Sequence, residues 1–232
     1  MNSKKESTKA KKAKKRKNGG LFRYLFYDFV KITGALPLLL WLRNKVYFID
    51  KDAKAEYKKA VKGGALVACN HARFLDAVII QALIWYRRVN TVAMKELFST
   101  KFWSWFYTHI LCISIDRDNV DVSSIKEVVT RLKEGKIVSI FPEGHINEGE
   151  DGVQTYKSGA VLMALMAKKP IIPVYLKKRK KFWHRQKIAI GKPVYLDGVR
   201  PTLPEIERYS AILQEKEVEL FNLLSKEDKN AK

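Results

Sequence analysis

The sequence predicts an α/β fold, a single domain with a largely parallel or mixed sheet flanked by helices. Short apolar runs alternate with helical patterns from about residue 50 onwards, the order expected when helices cover a sheet. The chain has 232 residues, of which 47% are hydrophobic, enough for one domain with a substantial core. Collagen-like, wholly disordered and disulfide-scaffold classes are therefore excluded.

Six strands are predicted from the apolar runs. The first follows Gly63-Gly64 and the fourth ends at Pro142, as expected for strands bounded by turn residues. The predicted strands cover residues 65–70, 89–94, 112–115, 137–141, 171–176 and 187–190.

Five helices are predicted between and after these strands. Gly135 follows one of them and Pro170 another, and both residue types are common just beyond a helix end. In the last helix, Glu217 falls on the same face as the apolar side chains. The predicted helices cover residues 75–86, 98–109, 122–133, 157–168 and 204–224.

Positive charge is concentrated at the amino end. The chain has 45 Lys+Arg against 24 Asp+Glu, a formal net charge of +21. Nine basic side chains lie in residues 1–17 against Glu6 alone, and a second basic run covers residues 177–187. Residues 1–20 contain almost no apolar surface to bury, which predicts a disordered polybasic tail. The excess charge indicates polyanionic partners: an anionic membrane surface, phosphorylated ligands or nucleic acid.

Residues 21–49 are predicted to anchor the chain to a membrane through an amphipathic helix. The apolar face contains Leu21, Phe22, Leu25, Phe29, Ile32 and Leu36, and the opposite face contains Arg23, Tyr24, Tyr27 and Lys31. Such a helix lies in the membrane interface with its apolar face among the acyl chains. The open alternative is an ordinary amphipathic helix whose apolar face packs on the domain.

The anchor is expected to lie on the membrane, and whether Ile32–Leu42 dips into the bilayer or spans it stays open. Its longest uncharged run is Ile32–Leu42, whereas a spanning helix needs ~20 apolar residues. Pro37 is expected to break or kink the helix, which predicts a helix pair. The expected location is the cytoplasmic face of a membrane, with contact to one leaflet. The catalytic domain is expected to occupy residues 50–232.

The segment NHARFLD, residues 70–76, follows a predicted strand and opens a helix. A loop there can bring the Asp76 carboxylate to a ring nitrogen of His71. In such a pair the carboxylate orients the imidazole, while the other nitrogen takes a proton from a hydroxyl group. A histidine held only for structure is the alternative, since one His and one Asp at this spacing are not a specific signal.

Further polar positions follow other strand ends. Glu143 and Gly144 follow the strand at 137–141, and Arg117 follows the strand at 112–115. Ligands of open α/β sheets bind beyond the carboxyl ends of the strands, so these residues are predicted to face one crevice. Lys157 opens a helix, where free N–H groups favour an anion. Surface ion pairs remain the alternative for Arg117 and Lys157.

Taken together, these motifs resemble the membrane-associated glycerolipid acyltransferase family, the type that acylates lysophosphatidic acid. NHARFLD is similar to the first family block, SIDRD to the second, FPEG to the third and IIPVYL to the fourth, and YKSGA is similar to the family's Lys-x-Gly-Ala stretch. The resemblance extends from about residue 21 to about residue 200. It implies a fold like that of the glycerol-3-phosphate acyltransferases.

The resemblance also implies roles for individual residues. His71 is expected to be the general base on the acceptor hydroxyl and Asp76 to orient it, with direct attack on the thioester of acyl-CoA or acyl-carrier-protein. Glu143 and Gly144 are expected to shape the acceptor site, and Arg117 to contact a phosphate. The substrate-binding positions implied are Asn70, Arg73, Arg117, Glu143, Gly144 and Lys157.

The third block departs from the family pattern directly after FPEG. The family usually continues with Thr-Arg-Ser, whereas this chain has His145, Ile146 and Asn147. Two possibilities stay open at this point. Either Arg73, Arg117 and Lys157 hold the acceptor phosphate without that arginine, or the acceptor is a different lysophospholipid.

The leading expectation is therefore transfer of a fatty acyl group to 1-acyl-sn-glycerol-3-phosphate, giving phosphatidic acid. No metal or other cofactor is expected, and Cys69 and Cys112 lie in apolar runs typical of free thiols. A specific nucleic-acid partner is not expected, because no recognised binding signature accompanies the basic runs. A basic nucleic-acid-binding protein and a catalytically silent membrane-binding protein are the alternatives from other classes.

Overall fold

Seven strands form one sheet with helices on both faces in the part of the chain that the structure describes. The structure, a computed structural model, describes residues 20–116, 122–147, 149, 152–179 and 184–229. The strands are β1 (Lys45–Phe48), β2 (Leu66–Cys69), β3 (Val89–Met94), β4 (Cys112–Ile115), β5 (Ile137–Ile140), β6 (Ile171–Leu176) and β7 (Lys187–Ile190). The helices are α1 (residues 20–30), α2 (Leu36–Leu42), α3 (Lys51–Gly63), α4 (Asp76–Leu83), α5 (Lys101–His109), α6 (Val122–Lys133), α7 (Gly159–Ala167) and α8 (Leu203–Lys229).

The sheet is mixed, which confirms the predicted α/β class. Its strand order is β1-β7-β6-β2-β5-β3-β4. All neighbouring strands are parallel except β6 and β7, which are antiparallel. Strands β2 to β6 therefore end at one edge of the sheet, and the loops that follow β2 and β5 are direct neighbours there.

The core lies on both faces of the central strands. Side chains of α6, α7 and α8 pack on one face, and those of α3 and α4 pack on the other. Strands β2, β5 and β6 are buried at every position. A strand covered on both faces has a continuous apolar run, which is why these strands are visible in the sequence.

Strand β1 and helix α3 were not predicted. The β1 sequence KVYF is partly exposed and pairs in parallel with β7 at the end of the sheet. Asp50 then caps α3, because its carboxylate accepts the N–H of Ala53 at 2.8 Å. Residues 45–48, which the sequence prediction assigned to the anchor segment, therefore form part of the sheet.

The amino-terminal helix continues through Pro37, so the predicted break is not found. Helix α1 passes through a π-helical turn, Lys31–Ala35, directly into α2. Proline cannot donate a backbone hydrogen bond and clashes with the carbonyl four residues earlier, and a π turn loosens the bonding pattern at that position. The combined helix, Gly20–Leu42, has 23 residues and a mean hydropathy of 1.5 in its most apolar window. Its length and composition alone would let it cross a membrane.

The polar face of α1, and not its apolar face, packs on the domain. Tyr27 is 1% exposed, and its hydroxyl accepts the N–H of Val89 at 3.0 Å. Asp28 forms an ion pair with Arg88, and Lys31 donates to the carbonyl oxygens of Ile84 and Arg87 in the segment that follows α4. The exposed apolar side chains are Leu21, Phe22, Leu25, Phe29 and Ile32. Phe22 still contacts the His109 ring of α5, with centroids 5.9 Å apart. Most of the apolar face of α1 is nevertheless exposed, which disfavours the alternative in which that face packs on the domain.

Candidate active site

The loops that follow β2 and β5 meet at one edge of the sheet. The β2–β5 pairing aligns Leu66 with Val138, so His71 and Glu143 emerge side by side. The main-chain N–H of His71 donates to Oε2 of Glu143 at 3.1 Å. The main-chain carbonyl of His71 accepts the N–H of Asn147 at 2.7 Å. The first and third motif blocks are therefore joined directly through the backbone of His71.

Asp76 holds both the imidazole ring and the loop that carries it. Its Oδ2 lies 3.2 Å from Nδ1 of His71 and accepts the N–H groups of Ala72 and Arg73 at 2.7 and 2.6 Å. Asp76 is the first residue of α4 and is 3% exposed. An ionised carboxylate in this position accepts a hydrogen bond from an Nδ1 that carries a proton. Nε2 then has no proton and is the basic nitrogen of the ring. The contact expected from the spacing of the two residues is present.

Phe141 fixes the plane of the His71 imidazole. Its ring stacks on the His71 ring, with centroids 4.1 Å apart and an interplanar angle of 20°. The His71 side chain is 14% exposed. The ring is thus held by a carboxylate at its edge and by an aromatic ring on its face. Phe141 is the first residue of the FPEG block, but nothing in the sequence indicated this contact.

Glu143 is buried behind His71, and Gly144 gives Lys157 room to approach. Burial raises the pKa of Glu143 to about 7, although the His71 N–H opposes this shift. Gly144 has a φ of 78°, and a Cβ there would lie 3.0 Å from Cε of Lys157. Both constraints favour glycine at this position. Gly144 and Lys157 line the same cavity as His71.

Two predicted substrate-binding residues, Asn70 and Arg73, do not line the cavity. The amide of Asn70 is buried and bonds the N–H and carbonyl of Leu176 at 2.7 and 3.0 Å, so it joins β2 to β6 and does not line the cavity. Arg73 also lies outside the cavity lining and donates to the carbonyl of Arg179 at 2.5 Å. Arg117 lies outside the described residues.

A large apolar cavity extends from His71 to the amino-terminal helix. Its volume is about 1620 Å³, above the ~300–1,000 Å³ typical of small-molecule pockets. His145 and Ile146 line it beside His71, where the third block departs from the family pattern. The side chains of the apolar wall include Val30, Leu38, Phe74, Leu75, Val78, Met94, Leu97, Phe106, Ile110, Leu162 and Met163.

A second buried carboxyl group lies close to the site. Glu217 of α8 is 1% exposed, and burial raises its pKa to about 8. The Tyr156 hydroxyl lies beside it, and Tyr156 also lines the cavity. The sequence signal was the position of Glu217 on the apolar face of its helix. Within the described parts of the chain, no group of three or more His, Cys, Asp or Glu side chains could hold a metal ion.

Comparisons with known proteins show what the chain is similar to. The chain is 32% identical over 187 residues to the 1-acyl-sn-glycerol-3-phosphate acyltransferase of Bacillus subtilis (strain 168), covering 78% of this chain and 89% of that relative. It is 31% identical over 163 residues to the protein of the same name from Cocos nucifera, covering 68% of this chain and 49% of that relative. The crystal structure of the 1-acyl-sn-glycerophosphate (LPA) acyltransferase PlsC from Thermotoga maritima has a TM-score of 0.57 and 19% identity over 85% of this chain and 80% of that chain, which shows a shared fold.

The family match covers the site itself. The family model described as Acyltransferase matches residues 45–177, more than half of the chain. That range begins at β1 and contains His71, Asp76, Glu143 and Lys157. The chain therefore belongs to the acyltransferase family.

Proposed function

We propose that this acyltransferase transfers a fatty acyl group from a thioester, acyl-CoA or acyl-carrier-protein, to the free hydroxyl of 1-acyl-sn-glycerol-3-phosphate, giving phosphatidic acid. The observation that carries the proposal is the His71 ring, which Asp76 and Phe141 hold at the wall of a large apolar cavity. The names of the relatives from Bacillus subtilis and Cocos nucifera support the acceptor.

His71 acts as general base and then as general acid. Nε2 takes the proton of the acceptor hydroxyl while its oxygen attacks the thioester carbonyl carbon. The resulting imidazolium is stabilised by the Asp76 carboxylate, which lies 3.2 Å from Nδ1. When the tetrahedral intermediate collapses, the C–S bond breaks and the proton passes from Nε2 to the leaving thiolate. Neither a covalent acyl-enzyme nor a cofactor takes part in this scheme.

The cavity supplies the hydrophobic part of substrate binding. Its wall is formed mainly by aliphatic and aromatic side chains from α2, α4, β3 and α5. Removal of a hydrocarbon chain from water contributes ~0.8 kcal/mol for each buried CH₂ group. A wall of this kind suits a fatty acyl chain and offers little to nucleic acid, which disfavours the nucleic-acid-binding alternative.

Lys157 is the residue of the cavity wall best placed to hold the acceptor phosphate. It directly precedes the first turn of α7, and Ser158 and Gly159 line the same cavity. Free N–H groups and the helix dipole favour an anion at such a position. Ile146 also lies in the wall and brings no charge. In this proposal Lys157 and the start of α7 do the work of the arginine that the family usually has there.

Ile146 also motivates a second candidate, a different lysophospholipid acceptor. An isoleucine at the cavity wall tolerates a phosphodiester headgroup better than an arginine that selects a doubly charged phosphate. Ile146→Arg should then raise kcat/KM for lysophosphatidic acid relative to lysophosphatidylglycerol. A wild-type enzyme that prefers lysophosphatidylglycerol in an acceptor screen with labelled acyl donor would favour this second candidate.

The enzyme works at a membrane surface, and we propose the cytoplasmic leaflet. The α1 face directed away from the domain carries Leu21, Phe22, Leu25, Phe29 and Ile32, and Phe102, Trp103 and Trp105 of α5 are also exposed. Aromatic and aliphatic side chains together favour the headgroup and acyl boundary. Because the polar face of α1 is bonded to the domain, the helix cannot cross a bilayer without breaking those bonds.

The polybasic tail is proposed as a second, electrostatic anchor. Residues 1–17 lie outside the described residues, so this proposal depends on charge alone. Each Lys or Arg near an anionic surface contributes ~1 kcal/mol, and salt screens this attraction. Deletion of residues 1–17 should weaken binding to anionic liposomes at low salt and have little effect at high salt. Equal binding by both forms at low salt would contradict the proposal.

The experiment that tests the reaction is the replacement of His71. Purified His71→Ala should lose nearly all release of CoA from acyl-CoA in the presence of lysophosphatidic acid, since the substitution removes the proposed base. His184→Ala is the matched control, because His184 is exposed and does not line the cavity. Wild-type turnover by His71→Ala would refute the mechanism.

A further inference from the structure

The side chain of Lys178 contacts the loop that follows the FPEG block, called here the post-FPEG loop (residues 145–147 and 149). Its Nζ donates to the carbonyl oxygens of Gly149 and Asn147 at 2.7 and 3.4 Å. Lys178 belongs to the second basic run, to which the proposed reaction gives no role. Hydrogen bonds from a charged donor are stronger than those between neutral groups, so this contact can hold the loop in place.

The post-FPEG loop forms the cavity wall beside His71. His145 and Ile146 line the cavity, and the next residue, Asn147, donates its main-chain N–H to the carbonyl of His71 at 2.7 Å. The side-chain Oδ1 of Asn147 accepts the N–H of Gly149 at 3.0 Å. The bonds around Asn147 therefore fix the end of the segment that carries the two wall residues.

The backbone that carries Lys178 is held on both sides by the NHARFLD block. On one side, the Asn70 amide bonds both main-chain groups of Leu176 at 2.7 and 3.0 Å. On the other side, Arg73 donates to the carbonyl of Arg179 at 2.5 Å. Asn70 and Arg73 thus anchor the segment from which Lys178 extends. A side chain on a well-supported backbone positions its contacts more precisely than one on a loosely held loop.

We propose that Lys178 is a positioning residue for acceptor binding: it keeps the post-FPEG loop where His145 and Ile146 shape the wall around the acceptor headgroup. The proposal rests on the proposed function for the identity of the acceptor. Lys178 is not among the described residues that line the cavity, so it acts on the acceptor through the loop. In this way the end of β6 contributes to acceptor binding together with the ends of β2 and β5.

The separate supports of His71 predict that acceptor binding and chemistry respond differently. Asp76 and Phe141 hold the His71 ring from outside the post-FPEG loop, so the chemical step should survive when that loop loosens. Acceptor binding should weaken, because part of the wall around the headgroup is no longer held in place. A higher KM with an unchanged kcat indicates the loss of binding that is equal in the ground state and in the transition state.

Lys178→Met tests the proposal, because methionine keeps an unbranched apolar side chain and removes the hydrogen-bond donor. The KM for lysophosphatidic acid should rise about fivefold or more, since bonds from a charged donor are lost. The kcat and the KM for acyl-CoA should stay within about twofold of wild type. Lys178→Arg should restore the wild-type acceptor KM, because a guanidinium group can donate to both carbonyl oxygens.

Lys177→Met is the matched control, because it removes the same charge from the neighbouring position. Lys177 pairs with Asp228 of α8, so its loss should leave the acceptor KM at the wild-type value, whatever its effect on Tm. An equal rise of the acceptor KM in Lys177→Met and Lys178→Met would overturn the proposal. If Lys178→Met does not fold, Lys178→Gln keeps one neutral donor and should raise the acceptor KM about twofold or more; a wild-type acceptor KM in that variant overturns the proposal.

Hydrogen exchange gives a readout that needs no activity. The main-chain N–H groups of Asn147 and Gly149 are hydrogen-bonded in the wild-type loop. In Lys178→Met they should exchange about fivefold faster or more, because the loop opens more often. Unchanged exchange, or a wild-type acceptor KM in Lys178→Met, would overturn the proposal. A wild-type enzyme that acylates no lysophospholipid would refute the proposed function and leave the exchange difference intact, so the two failures are distinguishable.

Discussion

Asp76→Asn removes one charge from the proposed catalytic pair and changes little else in shape. The carboxylate has two tasks: it orients His71 through Nδ1 and it accepts the N–H groups of Ala72 and Arg73. An asparagine oxygen can retain part of the second task. It cannot stabilise an imidazolium by charge, and its amide can favour the tautomer that places the proton on Nε2. The substitution should therefore damage kcat far more than folding.

The distance between the two groups sets the magnitude. A charge pair at the observed 3.2 Å has an interaction of about 5 kcal/mol at an effective dielectric constant near 20. This attraction is made only when His71 becomes protonated, so it acts in the transition state. At 1.36 kcal/mol for each factor of ten, its loss lowers kcat by roughly three to four orders of magnitude. The KM values for both substrates should change little, because neither side chain holds them.

The assay measures CoA released from acyl-CoA, with lysophosphatidic acid as acceptor in detergent micelles. Thermal unfolding of the same sample separates loss of chemistry from loss of structure. His71→Ala combined with Asp76→Asn should be no slower than His71→Ala alone, since the two residues act as one unit. An Asp76→Asn enzyme that keeps more than about a tenth of the wild-type kcat would refute the assignment of Asp76.

Three other predictions concern the fold and the membrane face. Gly64→Ala should destabilise the protein by about 3 kcal/mol or more in urea unfolding, because Gly64 has a φ of 89° and a Cβ there would lie 2.6 Å from the backbone of Gly135. Gly63→Ala is the control and should be neutral or stabilising, because the space around Gly63 is open. Equal losses of stability in the two variants would contradict this reasoning. Lys31→Met should lower the free energy of unfolding by about 1–3 kcal/mol, since two carbonyl oxygens lose their hydrogen-bond donor. An unchanged urea midpoint would contradict the packing of the polar face of the amino-terminal helix on the domain. Leu25→Asp should reduce liposome binding about tenfold or more without changing Tm. Val218→Asp, also at an exposed apolar position, should bind liposomes like wild type. Equal liposome binding by the two variants would contradict a membrane role for α1.

The strands that could be predicted from sequence are those whose burial leaves a simple pattern. Strand β6 is buried at all six positions and reads as the uninterrupted run IIPVYL. Strand β1 has only four residues, contains a lysine, and is exposed at two of its four positions, so it forms no continuous apolar run. Its place in the sheet is decided by pairing with β7, which lies far away in the chain. Such pairing is a tertiary property that local patterns do not contain.

The site was predictable in its residues and only partly in their contacts. His71 and Asp76 are five residues apart, so a single loop brings them together. His71 and Glu143 are 72 residues apart and meet only because β2 and β5 are neighbours in the sheet. Asn70 lies next to His71 in sequence, yet it faces the opposite direction and bonds β6. Proximity in a motif therefore does not decide which side chain faces the cavity.

The orientation of α1 connects the fold to the net charge of the chain. Amphipathicity indicates that the two faces of a helix differ, but it does not decide which face the domain covers. Here the domain offers polar partners, the Val89 N–H, Arg88 and the carbonyls of the segment that follows α4, so the polar face docks. The apolar face then stays largely exposed, although Phe22 contacts the His109 ring of α5, and a hydrocarbon phase is the partner that covers the exposed part. A basic tail joined to this helix adds attraction toward the anionic surface of the same phase.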